Sequence, residues 1–430
     1  MRAAIRISGP ELPAGRVAAE LWPLLFASVA LAFTCFTAPG RSGPYTLSSM
    51  DALAASKVLL RSLSFLTIVL LVLRLNFHPR MTAALGGLLP LGVFAGWALT
   101  TVLWSPLKVV SLGHAVELMM LTALATCVAV VVSTDADIRK FACGLFLAAA
   151  GACVLVMTLD ARLVFSGERP NNYLHPNSLG AIGGLGIMIL SCARILWNWN
   201  WARRMTIPGL AICGTALYVS RSRNALLTTF IVLSVFLWKY SRRTLALIVL
   251  LGCGGGLALA PYVPALAKLP AAAEEYVLRG QTREAVAHGS GRDEMWAVAL
   301  ASVADAPVFG HGYYSMSPTG MVVVWGKEQV QTAHNVFLHV LTGTGAIGLA
   351  LFLWAMLWLA IPVVRQSAVD RTAVLATCAL AFQAIAGCFE IGILGPVDPP
   401  TVIVFCLMGA GVGATLNGPR VRTGVVACAY

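Results

Sequence analysis

The chain of 430 residues is 58% hydrophobic and only 11% charged, with a mean hydropathy of +0.81, whereas soluble proteins carry about 25% charged residues. Apolar runs of about 20 residues recur along it, each long enough to cross a hydrocarbon core of about 30 Å. This composition excludes an ordinary soluble globular protein and predicts an all-α polytopic integral membrane protein. A transmembrane β-barrel is also excluded, because its strands would alternate in polarity.

The net charge of +12 does not indicate a nucleic-acid-binding protein. Much of the basic excess lies in short connections between apolar runs, where it orients a membrane protein and contacts anionic lipid headgroups. The eleven cysteines fall almost all within apolar runs, without a CxxC or Cys/His cluster. They favour apolar packing over a metal site or a disulfide framework. Membrane lipids are therefore expected partners, and nucleic acid is not.

About twelve membrane-spanning helices are predicted. They cover residues 20–38, 55–75, 82–104, 108–133, 139–160, 178–197, 205–220, 223–239, 243–262, 334–364, 371–393 and 400–417. The chain thus divides into a first transmembrane bundle of about nine spans, residues 1–262, a long loop, 263–333, and the last spans with a tail, 334–430.

Basic residues concentrate in alternate connections, which by the positive-inside rule face the cytoplasm. They are Arg2, Arg6, Arg16, Arg74, Arg80, Arg139, Lys140, Arg194, Arg203, Arg204, Lys239, Arg242, Arg243, Arg365, Arg371, Arg420 and Arg422. The loop 263–333 is therefore expected on the outer face, together with the connection 161–178 and the turn 220–224.

Polar groups are unusually dense in two of these short outer connections. The connection 161–178 carries Arg169, His175 and Asn177, although Asn177 and Ser178 are equally well explained as caps of the following helix. The turn 220–224 places Arg221 and Arg223 on the predicted outer face, where the positive-inside rule does not call for basic residues. Headgroup anchoring explains them, but the planar guanidinium also suits phosphate oxygens, and an anion site is favoured.

The long loop contains further candidates. Acidic residues after Arg292 occupy the first turn of a predicted helix, and apolar residues then follow at helical spacing. Arg279 and Arg283 are spaced to share one helix face, for which a solvated loop surface is the ordinary explanation. The loop ends at His334 and Asn335.

Charged and polar pairs also lie inside predicted spans. Lys57 with Arg61, and His114 with Glu117, are spaced to share a helix face. Such residues raise a functional question because charge in a membrane is costly. Snorkelling explains the first pair, and a local polar pair between helices explains the second.

Five motifs occur in order on the outer side: His175-Pro176-Asn177 with Gly180; the turn 220–226; Arg292 with Trp296; the segment 307–312; and His334-Asn335 leading to the segment 345–349. Together they resemble the O-antigen ligase/polymerase superfamily of bacterial membrane glycosyltransferases, and most closely its ligases. The best-matching region covers about residues 170–355.

The resemblance implies a GT-C-like architecture in the bacterial inner membrane, with the active site on the periplasmic face. The donor would be a glycan on undecaprenyl diphosphate. The acceptor would be lipid A–core for a ligase, another repeat unit for a polymerase, or a protein hydroxyl for an O-oligosaccharyltransferase. No cofactor, nucleotide or required metal ion is implied. A single outer loop late in the chain favours the ligase, since the polymerases tend to have two.

The family's important residues carry over to Arg221 or Arg223, to Arg292 and to His334, and its acidic residue falls at Glu390 or Asp398. Thr344 stands where many members have an acidic residue. A lipid-linked glycan transporter would share the number of spans, but transporters place polar residues near the midplane and show internal repeats.

The chemistry explains these residue types. Guanidinium groups can stabilise the negative charge that develops on a departing diphosphate, and a histidine can take a proton from an acceptor hydroxyl. Single displacement would invert the anomeric centre. The expected catalytic residues are His334, Arg292, Arg221 and Arg223. The expected substrate-binding residues are Asn177, His175, Arg169, Asn335, Arg279, Arg283 and Asp398.

Overall fold

The computed structural model describes residues 14–34, 52–166, 168, 170, 172–249, 275, 278, 282, 291–324, 327–329, 333–394 and 397–417. Most of these residues are helical. The helices are α1 (Ala14–Phe33), α2 (Ala52–Leu75), α3 (Met81–Thr100), α4 (Lys108–Val131), α5 (Asp135–Leu159), α6 (Ala161–Ser166), α7 (Pro176–Ile195), α8 (Asn200–Val219), α9 (Arg223–Tyr240), α10 (Arg242–Val249), α11 (Arg292–Asp305), α12 (Val336–Gln366), α13 (Arg371–Gly387) and α14 (Pro399–Leu416). Strands β1 (Val322–Val324) and β2 (Lys327–Gln329) form an antiparallel pair between α11 and α12.

Within the described residues, seven helical segments are long and apolar enough to cross a membrane. They are Ser56–Leu75, Met81–Leu103, Lys108–Val131, Asp135–Leu159, Pro176–Ile195, Val336–Gln366 and Pro399–Leu416. Ala19–Phe33 and Arg371–Gly387 are shorter apolar helices. The polytopic helical class predicted from the sequence is confirmed.

The predicted count of about twelve spans is not supported by the described part of the chain. The predicted spans 205–220 and 223–239 do form helices, α8 and α9, but α8 begins with a polar turn that contains Arg203 and Arg204. Its composition is therefore less apolar than that of the seven. The predicted span 243–262 lies mostly outside the described residues, as does much of the loop 263–333.

Helices α7 and α14 form the centre of the bundle. In the apolar segment of α14, 83% of the residues are buried inside the protein, and in that of α7, 72%. The corresponding share for α2 is only 22%. Glycine allows the closest approach: a Cβ added at Gly409 of α14 would collide with the backbone of Ala125 in α4. Small residues of this kind let membrane helices pack backbone to backbone, so α4 and α14 are held close together.

Two of the sequence motifs form a single structural unit. Helix α12 is broken at Gly345, which has φ +68° and ψ −173°. The segment 306–312 pairs with this break: the His311 N–H donates to the Thr342 carbonyl at 3.0 Å, and the Ala346 N–H donates to the Pro307 carbonyl at 2.9 Å. The backbone groups released by the kink are satisfied in this way.

The predicted helix in the long loop is confirmed as α11. Its inner face buries Met295 and Ala299 against Met316, Val322 and Ala333. The Trp296 indole N–H donates to the Ala333 carbonyl at 2.9 Å. This contact connects α11 to the residue that precedes His334, so the packing of α11 sets the position of the start of α12.

A candidate active site at the ends of five helices

A cavity of about 350 Å³ lies where α7, α9 and α14 begin and α13 ends. Its lining is apolar toward the bundle, with Ala181, Leu185 and Phe382, and polar toward the connections. The polar lining includes His175, Asn177, Ser222, His334, Glu390 and Asp398. A cavity with an apolar floor and converging polar groups is the usual form of a ligand site.

Glu390 is the residue on which the polar groups converge. One carboxylate oxygen, Oε1, accepts a hydrogen bond from the Asn177 side-chain amide and lies 3.2 Å from Nη2 of Arg292. The other oxygen, Oε2, lies 2.9 Å from Nδ1 of His334. The Glu390 side chain is only 18% exposed. A single buried carboxylate therefore joins α7, α11 and the start of α12.

The electrostatics of Glu390 follow from these contacts. Burial alone would raise the pKa of its carboxyl group. The hydrogen bond from His334 and favourable electrostatic interactions with His334, Arg292 and His175 oppose burial and hold the pKa of Glu390 below its ordinary value of 4.5. Glu390 is therefore ionised at neutral pH.

His334 occupies an unusual backbone position between the long loop and α12. Its φ is +43°, in the left-handed region that few non-glycine residues adopt. The helix begins one residue later, because the Asn335 side chain accepts hydrogen bonds from the N–H groups of Phe337 and Leu338, both at 3.0 Å. Since a carboxylate only accepts, Nδ1 of His334 donates to Glu390, and Nε2 is left as the ring's proton acceptor.

Asn335 was predicted to bind substrate, but its side chain is used in the structure for helix positioning. Besides the cap, its amide donates to the Cys388 carbonyl at 3.1 Å. This bond ties the start of α12 to the segment that leads to Glu390. Asn335 is not among the residues that line the cavity.

The start of α7 supplies a second group of predicted residues. The capping role considered for Asn177 and Ser178 is wrong, because His175 is the cap: its Nδ1 accepts from the Asn177 N–H at 3.3 Å. The Asn177 side chain is thereby available to Glu390, and Ser178 donates to Asp398 at 2.8 Å. His175 and Asn177 both line the cavity.

Asp398 lines the same cavity but is engaged in capping. Its Oδ1 accepts from the Thr401 N–H at 3.0 Å at the start of α14, and its Oδ2 accepts from Ser178. Burial raises the pKa of Asp398 above its ordinary value, although both hydrogen bonds oppose the shift. Of the two carboxylates that the sequence left open, Glu390 is the one that contacts His334 and Arg292.

The turn 220–224 reaches the cavity through its polar residues. Ser222 caps α9 by accepting from the Ala225 N–H at 3.3 Å, and Asn224 donates to the Ala386 carbonyl at 3.0 Å. Both line the cavity, whereas Arg221 and Arg223 flank them outside its lining. Arg221 has φ +47°. The turn is therefore adjacent to the site.

Three predicted residues, Arg169, Arg279 and Arg283, lie outside the described residues. Two residues near the motifs, neither of them a predicted site residue, are used structurally. Nε2 of His311 donates to the Ser302 carbonyl at 2.8 Å, and Thr344 donates from its buried hydroxyl to the Val340 carbonyl at 2.7 Å. In the described residues, no group of three or more His, Cys, Asp or Glu side chains is arranged to hold a metal ion.

Sequence reasoning underrated Glu390 and did not select Asn224 or Gln383 as site residues, although both line the cavity. One signal for Glu390 was available. It lies within the apolar run 371–393 that was predicted to span the membrane, and a lone carboxylate in such a run is a functional candidate by default. Asn224 has no comparable signal, since short polar residues at helix ends are usually caps.

The fold and the site define a polytopic helical membrane protein with a polar cavity at its helix ends. A protein-family model described as O-antigen ligase matches residues 208–353, a range that contains Arg221, Arg223, Arg292 and His334. This match supports the O-antigen ligase/polymerase superfamily, as the motifs predicted, and members of the matched family are glycosyltransferase-like enzymes. A search of curated proteins gave no significant match.

Proposed function

We propose that the protein is an O-antigen ligase, which transfers a glycan from undecaprenyl diphosphate to a sugar hydroxyl of lipid A–core. The enzyme would be in the bacterial inner membrane with its site on the periplasmic face. One observation supports the proposal most strongly. Glu390 contacts both His334 and Arg292, the two residues to which the family resemblance assigns proton transfer and diphosphate stabilisation.

In the proposed reaction, His334 is the general base. Its Nε2 takes the proton of the acceptor hydroxyl while the hydroxyl oxygen attacks the anomeric carbon of the donor sugar. The bond between that carbon and the diphosphate oxygen breaks, and undecaprenyl diphosphate leaves with the electron pair. One displacement gives inversion of configuration. Glu390 orients the ring and stabilises the imidazolium that forms, in the way that carboxylates support catalytic histidines.

Arg292 would stabilise the charge that develops on the departing diphosphate. Its Nη2 contacts Glu390 at 3.2 Å, and a guanidinium has further N–H donors in a planar fork that suits phosphate oxygens. Arg221 or Arg223 is proposed to assist from the neighbouring turn, with Arg169, Arg279 and Arg283 as further donor-binding candidates. Fixed cations of this kind would allow transfer without a divalent metal ion.

The test is reconstitution of the purified protein with undecaprenyl-diphosphate-linked glycan and lipid A–core. Glycan attached to lipid A–core supports the ligase. Elongation of the lipid-linked glycan with lipid A–core left unmodified would identify a polymerase instead. Failure of both reactions, with a known ligase active on the same substrates, would overturn the proposal.

Two controls separate chemistry from folding. His334→Ala should abolish transfer while the variant still unfolds cooperatively in detergent, whereas His78→Ala, a change at the short connection between α2 and α3, should leave transfer unchanged. Addition of EDTA should also leave transfer unchanged. Activity that is lost on chelation and restored by a divalent cation would contradict the metal-independent step.

A further inference from the structure

A second polar cluster lies on the other side of the segment that carries Glu390. Arg61 of α2 contacts Glu117 of α4 at 2.6 Å, and Nδ1 of His114 lies 3.0 Å from the other Glu117 oxygen. Arg61 also donates from Nε to Thr34 at 3.2 Å. The sequence offered two separate explanations for these residues, but the structure joins them into one network across three helices.

Tyr314 connects this cluster to the segment 388–398. Its ring stacks on His114 with 3.6 Å between ring centroids and an interplanar angle of 18°. Its hydroxyl donates to the Leu394 carbonyl at 2.7 Å. The edge of His339 in α12 packs against the same ring at 4.6 Å. Tyr314 therefore contacts α4, α12 and the segment 388–398 at once.

The described residues of the segment 388–398, which are 388–394, 397 and 398, include functional groups near both of its ends. Glu390 and Asp398 line the cavity, and between them Leu394 and Val397 are buried to 1% and 0% exposure. The backbone of Val397 interacts with the Glu117 carboxylate. The same segment therefore presents its carboxylates to the cavity and its backbone polar groups to the second cluster.

The backbone of Tyr314 shows that its position is tightly determined. Its φ is +65°, a conformation that is strained for a large side chain and persists only when surrounding contacts determine it. The preceding residue supplies two of these contacts: the Tyr313 N–H donates to Thr101 at 2.8 Å, and the Tyr313 carbonyl accepts from Ser111. The tyrosine ring is thus directed at Leu394 by the backbone around it.

We propose that Tyr314 is a positioning residue for the active site: its hydrogen bond to the Leu394 carbonyl sets the position of Glu390. Glu117 in turn fixes the Tyr314 ring through His114, on which that ring stacks. The role of Glu390 in catalysis rests on the proposed function, whereas the tether between Tyr314 and the segment 388–398 does not. Catalysis by His334 requires its carboxylate partner to remain in place. A loosened segment would lower the turnover rate more than substrate binding.

The first experiment measures hydrogen exchange of the peptide that covers residues 388–398 in the full-length protein in detergent. Tyr314→Phe removes the hydroxyl and keeps the ring, and we expect this peptide to exchange about three- to tenfold faster. Tyr313→Phe is the matched control, because Tyr313 is also buried and holds its neighbours Thr101 and Ser111 through backbone hydrogen bonds. Glu117→Gln should change exchange in the same direction by a smaller factor. Unchanged exchange in Tyr314→Phe, or an equal change in Tyr313→Phe, would contradict the proposal that the Tyr314 hydroxyl holds the segment 388–398 in place.

The second experiment measures glycan transfer for Tyr314→Phe, Glu390→Gln and the double variant. We expect Tyr314→Phe to lower kcat about three- to tenfold with little change in KM, and to have no further effect when Glu390 is already glutamine. Additive losses would show that Tyr314 does not act through Glu390. If the wild-type protein transfers no glycan, the proposed function fails. The hydrogen-exchange comparison still shows whether Tyr314 holds the segment 388–398 in place.

Discussion

Nδ1 of His334 lies 2.9 Å from Oε2 of Glu390, although the two residues belong to different connections of the bundle. The contact determines which ring nitrogen carries the proton, because the carboxylate can only accept. It also leaves Nε2 as the atom able to take a proton from an acceptor. One hydrogen bond thus determines the tautomer on which the proposed chemistry depends.

Replacement of Glu390 by glutamine is expected to lower transfer on the order of 10²-fold. The amide oxygen can accept from only some of the present donors, and the charge that stabilises an imidazolium is lost. Transfer is measured by initial rates with saturating donor and acceptor. Glu294→Gln, an exposed change in the first turn of α11, serves as the control. A fully active Glu390→Gln together with an inactive His334→Ala would remove Glu390 from the mechanism.

Arg292 is expected to tolerate lysine poorly. Lysine keeps the positive charge but lacks the planar fork, so it cannot bind Glu390 and a diphosphate oxygen in the same arrangement. We expect Arg292→Ala to lose on the order of 10²-fold to 10³-fold in kcat and Arg292→Lys to lie between it and the wild type. Matched changes at Arg204, which is exposed on α8, should have no effect. Wild-type rates in Arg292→Lys would mean that charge alone is required.

The lowered pKa of Glu390 predicts how the pH dependence of stability changes when the residue is removed. Because the folded protein binds a proton on Glu390 less readily than the unfolded chain, ionised Glu390 stabilises the fold above its ordinary pKa of 4.5. That stabilisation is lost as pH falls below 4.5 through the lower folded value. The difference in unfolding temperature between the wild type and Glu390→Gln should therefore be constant above about pH 5.5 and shrink below 4.5.

Asp398 should behave in the opposite way. Its raised pKa means that the folded state binds the proton more readily, so its ionisation reduces stability as pH rises above its ordinary value of 3.8. Asp398→Asn should therefore gain stability relative to the wild type as the pH rises from 3.8 through the higher folded pKa, provided that the asparagine oxygen still caps α14. Thermal unfolding across this pH range measures both variants. If the difference in unfolding temperature from the wild type changed with pH in the same direction for Glu390→Gln and Asp398→Asn, the opposite pKa shifts of the two residues would be contradicted.

The helical membrane class, and several of the residues that line the candidate cavity, could be predicted from the sequence because both signals are local. Long apolar runs identify helices that can span a membrane, and the motif at His334-Asn335 marks the start of α12. The choice between Glu390 and Asp398 is not local. Both are acidic residues near the ends of neighbouring apolar runs, and only the packing of α7 and α11 brings Asn177 and Arg292 to the first rather than the second.

The sequence also could not predict which polar groups serve folding. His175 caps α7 in place of Asn177, and Asn335 holds both α12 and the segment near Cys388. Capping and ligand binding use the same residue types at the same positions of a helix. The pairs Lys57–Arg61 and His114–Glu117 were also interpreted separately. Arg61 contacts Glu117 only through the packing of α2 against α4, which residue spacing within one helix does not reveal.

The kink at Gly345 gives a prediction about stability. Its φ of +68° is unfavourable for alanine, and an added Cβ would collide with the Val308 carbonyl. Gly345→Ala should therefore lower the free energy of unfolding by about 1–3 kcal/mol for the backbone alone, and more once the clash displaces the segment 306–312. Gly96→Ala in α3 is the control, because a Cβ there meets nothing within 4 Å. Both variants are compared by thermal unfolding in detergent. If Gly345→Ala unfolds at the same temperature as Gly96→Ala, the pairing between this kink and the segment 306–312 does not stabilise the fold.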